Sequence, residues 1–228
     1  MASTPKPSDG RDTELPAEWT DTARLKDLSQ LPLHALFPRE VRLEPRERLL
    51  IAMADSVREH GFRGASIADV VKRARTSRRT FYECFADRED CFLSLFDVSN
   101  TVFVARITAA LDTTKPWREQ IDAALAMYLQ VVRSEPAITL AFSHELSALG
   151  ERGAERKRRE MDSFAALLVD LVERVRLTNP ELRPMPQSAA YVITSGLRES
   201  AAHALATGRD PDEIAAAVAE MISSIVSD

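Results

Sequence analysis

The sequence predicts an all-helical protein that consists of a small N-terminal helical domain and a larger helical bundle. Only 7 glycines occur in 228 residues, and the long segments are rich in Ala, Leu, Glu and Arg, which are good helix formers. β-branched residues are scattered and do not alternate with polar residues as they do in strands. With 45% hydrophobic residues, the chain can bury a core and is not typical of a disordered protein.

Residues 39–90, which follow a lead-in with five prolines, are predicted to form one longer helix and then two short ones. The first begins near Pro45, because proline suits the first turn, and ends at Gly61, because glycine suits a C-terminal cap. Ser66 and Ser77 are suited to cap the second and third helices, and a break at Arg75 separates these two. Proline interrupts regular helix, so residues 1–38 are interpreted as a flexible lead-in.

The remaining chain, residues 91–228, predicts a helical bundle whose helices are separated by proline and glycine. The predicted helices cover about 87–111, 117–133, 136–149, 151–177, 187–207 and 211–226. The sequence thus predicts three segments, with boundaries after residues 38 and 90.

Charge is distributed unevenly along the chain, whose formal net charge is −5. The segment from Arg39 to Arg88 holds twelve Lys/Arg and eight Asp/Glu, a net of +4, so the rest carries −9. A basic domain on an acidic body indicates that one part of the protein binds a polyanion.

Several other classes of protein are disfavoured. The first twenty residues lack the apolar stretch of a secretory signal, and no run approaches the roughly 18 apolar residues of a membrane span. Two cysteines, Cys84 and Cys91, form neither a disulfide framework nor a metal-ligand set. We expect a cytoplasmic protein with no metal, no cofactor and no membrane partner.

The paired short helices predict a helix-turn-helix, in which the second helix enters the major groove of DNA. Phe81 and Phe85 are four residues apart and supply the inward face of that helix. The eight residues 72–79 contain five basic side chains and no acidic one. The outward side is left with polar, basic or hydroxyl-bearing side chains, which are Arg78, Arg79, Thr80 and Tyr82.

The stretch from Arg48 to Phe96 resembles the TetR family of transcription regulators. The most specific part is Ser77-Arg78-Arg79-Thr80-Phe81-Tyr82-Glu83-Cys84-Phe85-Ala86-Asp87-Arg88-Glu89-Asp90. His60-Gly61-Phe62 and Ser66-Ile67-Ala68-Asp69 also fit the family pattern. The resemblance implies that residues 39–90 form a DNA-binding domain and that residues 91–228 bind an effector and dimerise.

The resemblance also implies roles for particular residues in binding DNA. Ser66 would cap its helix and bind a phosphate, while Arg78, Arg79 and Thr80 would approach base edges, where arginine can bind guanine through two hydrogen bonds. Tyr82 and Arg88 would contact phosphates, Arg88 together with the free N–H groups of its helix. The implied DNA-binding residues are Ser66, Arg78, Arg79, Thr80, Tyr82 and Arg88.

Arg75 departs from the family pattern, which usually has glycine in the turn between the paired helices. A non-glycine residue in the left-handed conformation costs on the order of 1 kcal/mol. Either the turn is altered, or Arg75 bears this cost and places a charge near DNA.

For the second half, the resemblance implies a homodimer that binds an inverted repeat of double-stranded DNA. The Ala-rich helices at about 187–207 and 211–226 would form the dimer interface. A largely apolar effector of unknown identity would release the protein, a repressor, from its operator. The candidate pocket residues combine apolar bulk with isolated polar groups and are Phe103, Arg106, Tyr128, Phe142, His144, Phe164, Tyr191 and Thr194.

Two alternative functions remain at this level. An enzyme is disfavoured because the sequence has no phosphate loop, nucleophile elbow or metal-ligand set. A helical protein-interaction module with a basic head is the other alternative. Salt dependence separates it from a DNA-binding protein, because duplex affinity falls with a log–log slope of about −0.9 per neutralised phosphate.

Overall fold

The computed structural model describes residues 43–112 and 114–227, and in this part of the chain helices are the only regular structure. The predicted all-helical fold is thereby confirmed. The lead-in, residues 1–38, lies outside the described residues.

The N-terminal part, here called the head, contains α1 (Pro45–Gly64), α2 (Ile67–Arg73) and α3 (Arg78–Cys84). Both predicted serine caps are confirmed. The Asp69 N–H donates to Ser66 Oγ (3.1 Å), and the Thr80 N–H donates to Ser77 Oγ (3.1 Å). These caps satisfy backbone donors that a helix start leaves free, and so define where the two short helices begin.

Gly61 does not end the first helix as predicted. It adopts φ 68° and ψ 167° and kinks α1, after which helix continues to Gly64. The kink turns Phe62 into the core, where its ring stacks on Phe92 at 4.1 Å between centroids. A glycine is suited to this position because side-chain-bearing residues rarely adopt such a φ.

The bundle, here called the body, follows the predicted helix order closely. Its elements are α4 (Arg88–Ala110), α5 (Trp117–Ser134), α6 (Pro136–Glu145), a 3₁₀ helix (Leu146–Leu149), α7 (Gly150–Arg176), α8 (Gln187–Thr207) and α9 (Asp212–Val226). The one difference in type is the end of the predicted 136–149 helix, which tightens to 3₁₀ before Gly150 turns the chain at φ 62°.

Two hydrophobic cores hold the molecule together. The first joins the head to the N-terminal half of α4 and to α6, and Phe142 of α6 packs on Phe92 and Phe96 at 5.3 and 5.0 Å between ring centroids. The second lies among α5, α7, α8 and α9. The first core contains residues on both sides of residue 90 and therefore does not mark a boundary there. The domain boundaries stay predictions.

α4 is the one helix in the described residues that is long and apolar enough, by length and composition, to cross a membrane. The sequence analysis expected no apolar segment long enough to span a membrane, and α4 differs from that expectation. In the fold, 56% of its most apolar 18-residue segment is buried, as is typical of a helix in the core of a protein.

Ion pairs also link the head to the body. Arg58 of α1 donates to both carboxylate oxygens of Glu135, from Nε at 2.8 Å and from Nη2 at 3.0 Å, and the Glu135 side chain is only 5% exposed. Arg63 pairs with Glu145 at 3.1 Å. Arg152 of α7 binds Asp87 and Asp90 at the start of α4. The orientation of the head on the body is therefore set by polar contacts as well as by packing.

Candidate nucleic-acid interface and effector cavity

α3 is oriented as its apolar spacing predicts. Phe81 and Phe85 are buried, and Tyr82 is 57% exposed. Arg78 and Arg79 are exposed as well. The helix therefore presents two guanidinium groups and a phenol to solvent, a surface with the donors that base edges and phosphates accept.

Arg79 of α3 is highly exposed and forms an ion pair within its own helix. Its side chain is 89% exposed, and its Nε donates to Glu83 Oε1 at 3.0 Å, one helical turn away. An exposed pair of this kind contributes little to stability. A guanine base could therefore replace Glu83 as the partner of Arg79 at a small cost in free energy. Contact between Arg79 and DNA stays a prediction.

Ser66 and Thr80 have structural duties that the sequence indicated only in part. Ser66 is exposed, and its hydroxyl accepts the Asp69 N–H. Thr80 is half-buried, and its Oγ1 lies 3.0 Å from Ser77 Oγ. Both hydroxyls face the N-terminal end of a short helix, and their predicted DNA contacts are not tested by these bonds.

Arg88 stabilises the junction between α1 and α4. Its Nη1 donates to the backbone carbonyl oxygens of Phe62 (3.2 Å), Arg63 (3.3 Å) and Ala65 (3.0 Å), and its guanidinium carbon lies 4.4 Å from the centre of the Phe62 ring. Binding carbonyls at the end of α1 is a role that the sequence analysis missed. A phosphate contact by this residue stays a prediction.

The turn between α2 and α3 keeps the left-handed conformation. Arg75 has φ 49° and is the one non-glycine residue with positive φ among the described residues. Its N–H donates to Lys72 O (3.2 Å), and the Thr76 N–H donates to Val71 O (3.0 Å). The turn is therefore not altered, and Arg75 bears the strain and is exposed. Its proximity to DNA stays a prediction.

Arg73, one of the five basic residues in the 72–79 run, is engaged within the head. Its Nε binds Asp69 at 2.6 Å and its Nη2 binds Glu59 of α1 at 2.5 Å. Hydrogen bonds from Arg73 lower the pKa of the Asp69 and Glu59 carboxyls below their usual values. Arg73 thus joins α2 to α1, whereas Lys72, like Arg75, is exposed.

A cavity of about 270 Å³ lies among α4, α5, α6, α7, α8 and α9. Most of its lining is aliphatic or aromatic. Burial raises the pKa of the Tyr128 hydroxyl, so the phenol is neutral and can share a hydrogen bond. Five of the eight predicted pocket residues line the cavity, namely Phe103, Tyr128, Phe142, Phe164 and Thr194.

The other three predicted pocket residues, Arg106, His144 and Tyr191, lie outside the lining. Arg106 is 1% exposed, and burial lowers its pKa to about 10, partly offset by Glu135. His144 is exposed at the end of α6. Tyr191 is 36% exposed, and its hydroxyl lies 3.8 Å from Met161 Sδ. The phase of each helix turns these side chains away from the cavity, which spacing along the chain did not reveal.

The cavity has charged groups on its wall that the sequence analysis missed. Glu160 of α7 and Arg198 of α8 form an ion pair, with side chains 8% and 14% exposed, and both line the cavity. Glu135, which binds Arg58 of the head, lines it too. These partners are 38 and 77 residues apart, so no local motif signals them.

No group of three or more His, Cys, Asp or Glu side chains in residues 43–112 and 114–227 could hold a metal ion. The arrangement that the structure does provide is a helix-turn-helix with an exposed basic helix, packed on a helical body with an apolar cavity. This arrangement defines the class of helix-turn-helix DNA-binding proteins with a separate helical domain.

Residues 51–95 match the family model of bacterial regulatory proteins, tetR family. Residues 51–95 are therefore a DNA-binding domain of the tetR type. A comparison with curated proteins finds no match.

The chain aligns with several solved structures of similar fold over nearly the whole length of those structures. NemR of E. coli in its reduced form is 21% identical with a TM-score of 0.62, over 81% of this chain and 98% of that chain. FadR of Bacillus subtilis in complex with stearoyl-CoA is 15% identical with a TM-score of 0.64, over 78% and 97%. A TetR transcription regulator of Haloarcula marismortui is 13% identical with a TM-score of 0.68, over 80% and 98%.

Proposed function

We propose that the protein is a homodimeric, cytoplasmic repressor that leaves its operator when a largely apolar effector fills the body cavity. The observation that carries the proposal is the exposed α3 surface of Arg78, Arg79 and Tyr82, together with the apolar cavity. In this proposal residues 39–90 bind DNA and residues 91–228 bind effector and dimerise. The protein has no catalytic role.

The proposed DNA contacts divide into two kinds. Arg78, Arg79 and Thr80 read base edges, because they lie at the N-terminal part of the helix that enters the groove. The other three contact phosphates and set the orientation of the head. They are Ser66, Tyr82 and Arg88.

The proposed effector is apolar over most of its surface because the cavity is. The complex of Bacillus subtilis FadR with stearoyl-CoA supports a long aliphatic chain as the first effector to test. The mechanism is a shift of population, because an effector lowers DNA affinity only by the difference between its affinities for the two conformations.

A selection of genomic DNA fragments with the purified protein tests the DNA-binding proposal. We expect enrichment of one inverted repeat by the wild type. Arg79→Ala is expected to lose that enrichment, because a bidentate contact to guanine contributes roughly 1–3 kcal/mol of discrimination. Arg158→Ala is the matched control, since Arg158 is 56% exposed on α7 of the body and lies outside the cavity lining.

Loss of enrichment in both variants would point to a general effect of charge and would contradict the assignment of α3. Enrichment of no repeat, with binding that depends on salt alone, would contradict specific recognition. Absence of any binding to duplex DNA would favour the alternative, a protein-interaction module with a basic head. For that alternative, the log–log slope of about −0.9 per phosphate would not be observed.

A further inference from the structure

A second depression, here called the outer groove, lies between α4 and α7 on the outside of the body. Its volume is about 460 Å³. Unlike the cavity, it is bordered by charged side chains from both helices. These are Asp97 of α4 and Arg156, Arg159 and Glu160 of α7.

The outer groove and the cavity share part of their walls. Asn100, Glu160 and Phe164 line both. The Phe164 ring meets Phe103 of the cavity edge to face, with 5.3 Å between ring centroids. Phe164 therefore forms part of the wall between the two spaces.

Both carboxylates that line the outer groove are already paired with an arginine. Asp97 is held by Arg156 (Nε to Oδ2, 3.1 Å), and the charges of Arg159 and Arg46 also act on it. Glu160 is neutralised by Arg198. With both carboxylates paired, the charge of Arg159 is the least compensated in the groove, and it can accept an additional negative charge.

Arg159 is the cation best placed to receive that charge. Its side chain is 61% exposed, and its ion pair with Glu155 is a distant one, with 3.8 Å between Arg159 Nε and Glu155 Oε1. Glu155 is itself bound by Arg158. Little has to be broken for Arg159 to bind a carboxylate or phosphate ester through charge-assisted hydrogen bonds.

We infer that the outer groove is the entrance to the cavity and the binding site for an anionic head group. The ligand is an amphiphile whose head binds Arg159 and Arg156 while its apolar tail passes Phe164 into the cavity. This inference rests on the proposed effector cavity and names the chemical class of its ligand. A neutral amphiphile with the same tail lacks the contact to the groove.

Calorimetric titration of the full-length protein with decanoate and with decan-1-ol tests the head-group site. The two probes share a ten-carbon tail and differ in the head. We expect the wild type to bind decanoate more tightly. Arg159→Gln should weaken decanoate binding roughly three- to tenfold and leave decan-1-ol unchanged, because one partly exposed charge-assisted contact is lost.

Arg133→Gln is the matched control, because Arg133 is 44% exposed on α5 and lies outside the linings of both the groove and the cavity. Equal effects of the two substitutions on decanoate would overturn the site. So would equal affinity of the wild type for the two probes, or binding of neither probe. Because no DNA is present, these outcomes leave the operator selection, and the DNA-binding proposal, untouched.

The entrance is tested by the association rate of decan-1-ol, followed through the fluorescence of Trp117, which lines the cavity. Phe164→Leu should raise that rate severalfold, because the smaller side chain no longer closes the doorway. Phe96→Leu changes a buried aromatic residue outside both the cavity and the groove and is expected to leave the rate unchanged. Equal rates in the wild type and Phe164→Leu would overturn the entrance.

Discussion

Arg75 combines backbone strain with an exposed positive charge, and a single substitution separates the two. Arg75→Gly should raise the free energy of unfolding by about 0.5–1 kcal/mol, because relief of the left-handed strain exceeds the added entropy of the unfolded glycine. If the charge also acts on DNA, the salt dependence of duplex binding should become shallower by about 0.9.

Urea denaturation and a salt titration of DNA binding measure these two effects separately. A less stable Arg75→Gly variant would contradict the strain at φ 49°. An unchanged salt slope would show that Arg75 does not contact phosphate.

The Arg73 contacts make the stability of the head depend on acid. Because Arg73 lowers the pKa of Asp69 from its usual 3.8, the charged carboxylate stabilises the fold above about that pH. The contribution is lost as pH falls further, through the lower pKa of the folded state. Protonation in acid thus weakens the link between α1 and α2.

Asp69→Asn should therefore cost about 0.5–1 kcal/mol near neutral pH. The difference from the wild type should shrink as pH falls from about 4 toward 2. Urea midpoints of both proteins between pH 7 and 2 measure it. A difference that stays constant over this range would exclude the Asp69 carboxylate as its source.

At the scale of elements, α7 approaches the 3₁₀ helix so closely that no side chain fits between them. A Cβ on Gly153 would lie 1.9 Å from the carbonyl oxygen of Leu146, whereas a Cβ on Gly196 would meet nothing within 4 Å. Gly153→Ala must therefore shift backbone, and we expect a loss of about 2–3 kcal/mol.

Gly196→Ala is the control for that substitution. It should leave the free energy of unfolding unchanged or raise it by about 0.5–1 kcal/mol, because alanine is the better helix former. Thermal unfolding of both variants checks the pair. A Gly153→Ala protein as stable as the wild type would show that α7 and the 3₁₀ helix can separate without cost.

The helices themselves could largely be predicted from local signals. Ser66 and Ser77 mark their helix starts because each caps backbone N–H groups within its own turn. The 3₁₀ ending at Leu146–Leu149 could not be predicted, because it accompanies the close contact with Gly153, whose effect depends on tertiary packing.

At the scale of the whole molecule, the outer face of α8 and α9 carries exposed apolar side chains. Val192 is 63% exposed and Met221 is 47% exposed. These residues fit the proposed dimer interface, where a two-fold axis would bury each of them twice. Val192→Asp should weaken the dimer by roughly a hundredfold, about 3 kcal/mol, because two unpaired charges would be buried.

Sedimentation equilibrium at micromolar concentration measures this change in mass. Leu177→Asp is the control, because Leu177 is 85% exposed and follows α7 outside the proposed interface. Identical dimer dissociation in the wild type and Val192→Asp would remove α8 from the interface. A monomeric wild type would contradict the homodimer itself.

The contacts between distant parts of the chain lie beyond sequence reasoning. Arg58 and Glu135 are 77 residues apart, and neither stands in a motif. The same holds for Glu160 and Arg198 on the cavity wall. Spacing along a helix predicts which face of that helix a residue occupies, but not which neighbouring helix or cavity that face meets. For this reason the sequence predicts Arg106, His144 and Tyr191 as pocket residues, whereas the packing of the helices places them outside the cavity.

The sequence by itself determined the helical fold, the order of the helices, the N-terminal caps of α2 and α3, and the exposed face of α3. All of these depend on interactions within a few residues, such as a hydroxyl at an N-cap or aromatic residues four apart. Only the tertiary structure decided which side chains line the cavity, which ion pairs join head to body, and that an outer groove adjoins the cavity. Those features depend on how helices rotate and approach one another, and that is set by the packing of the whole core.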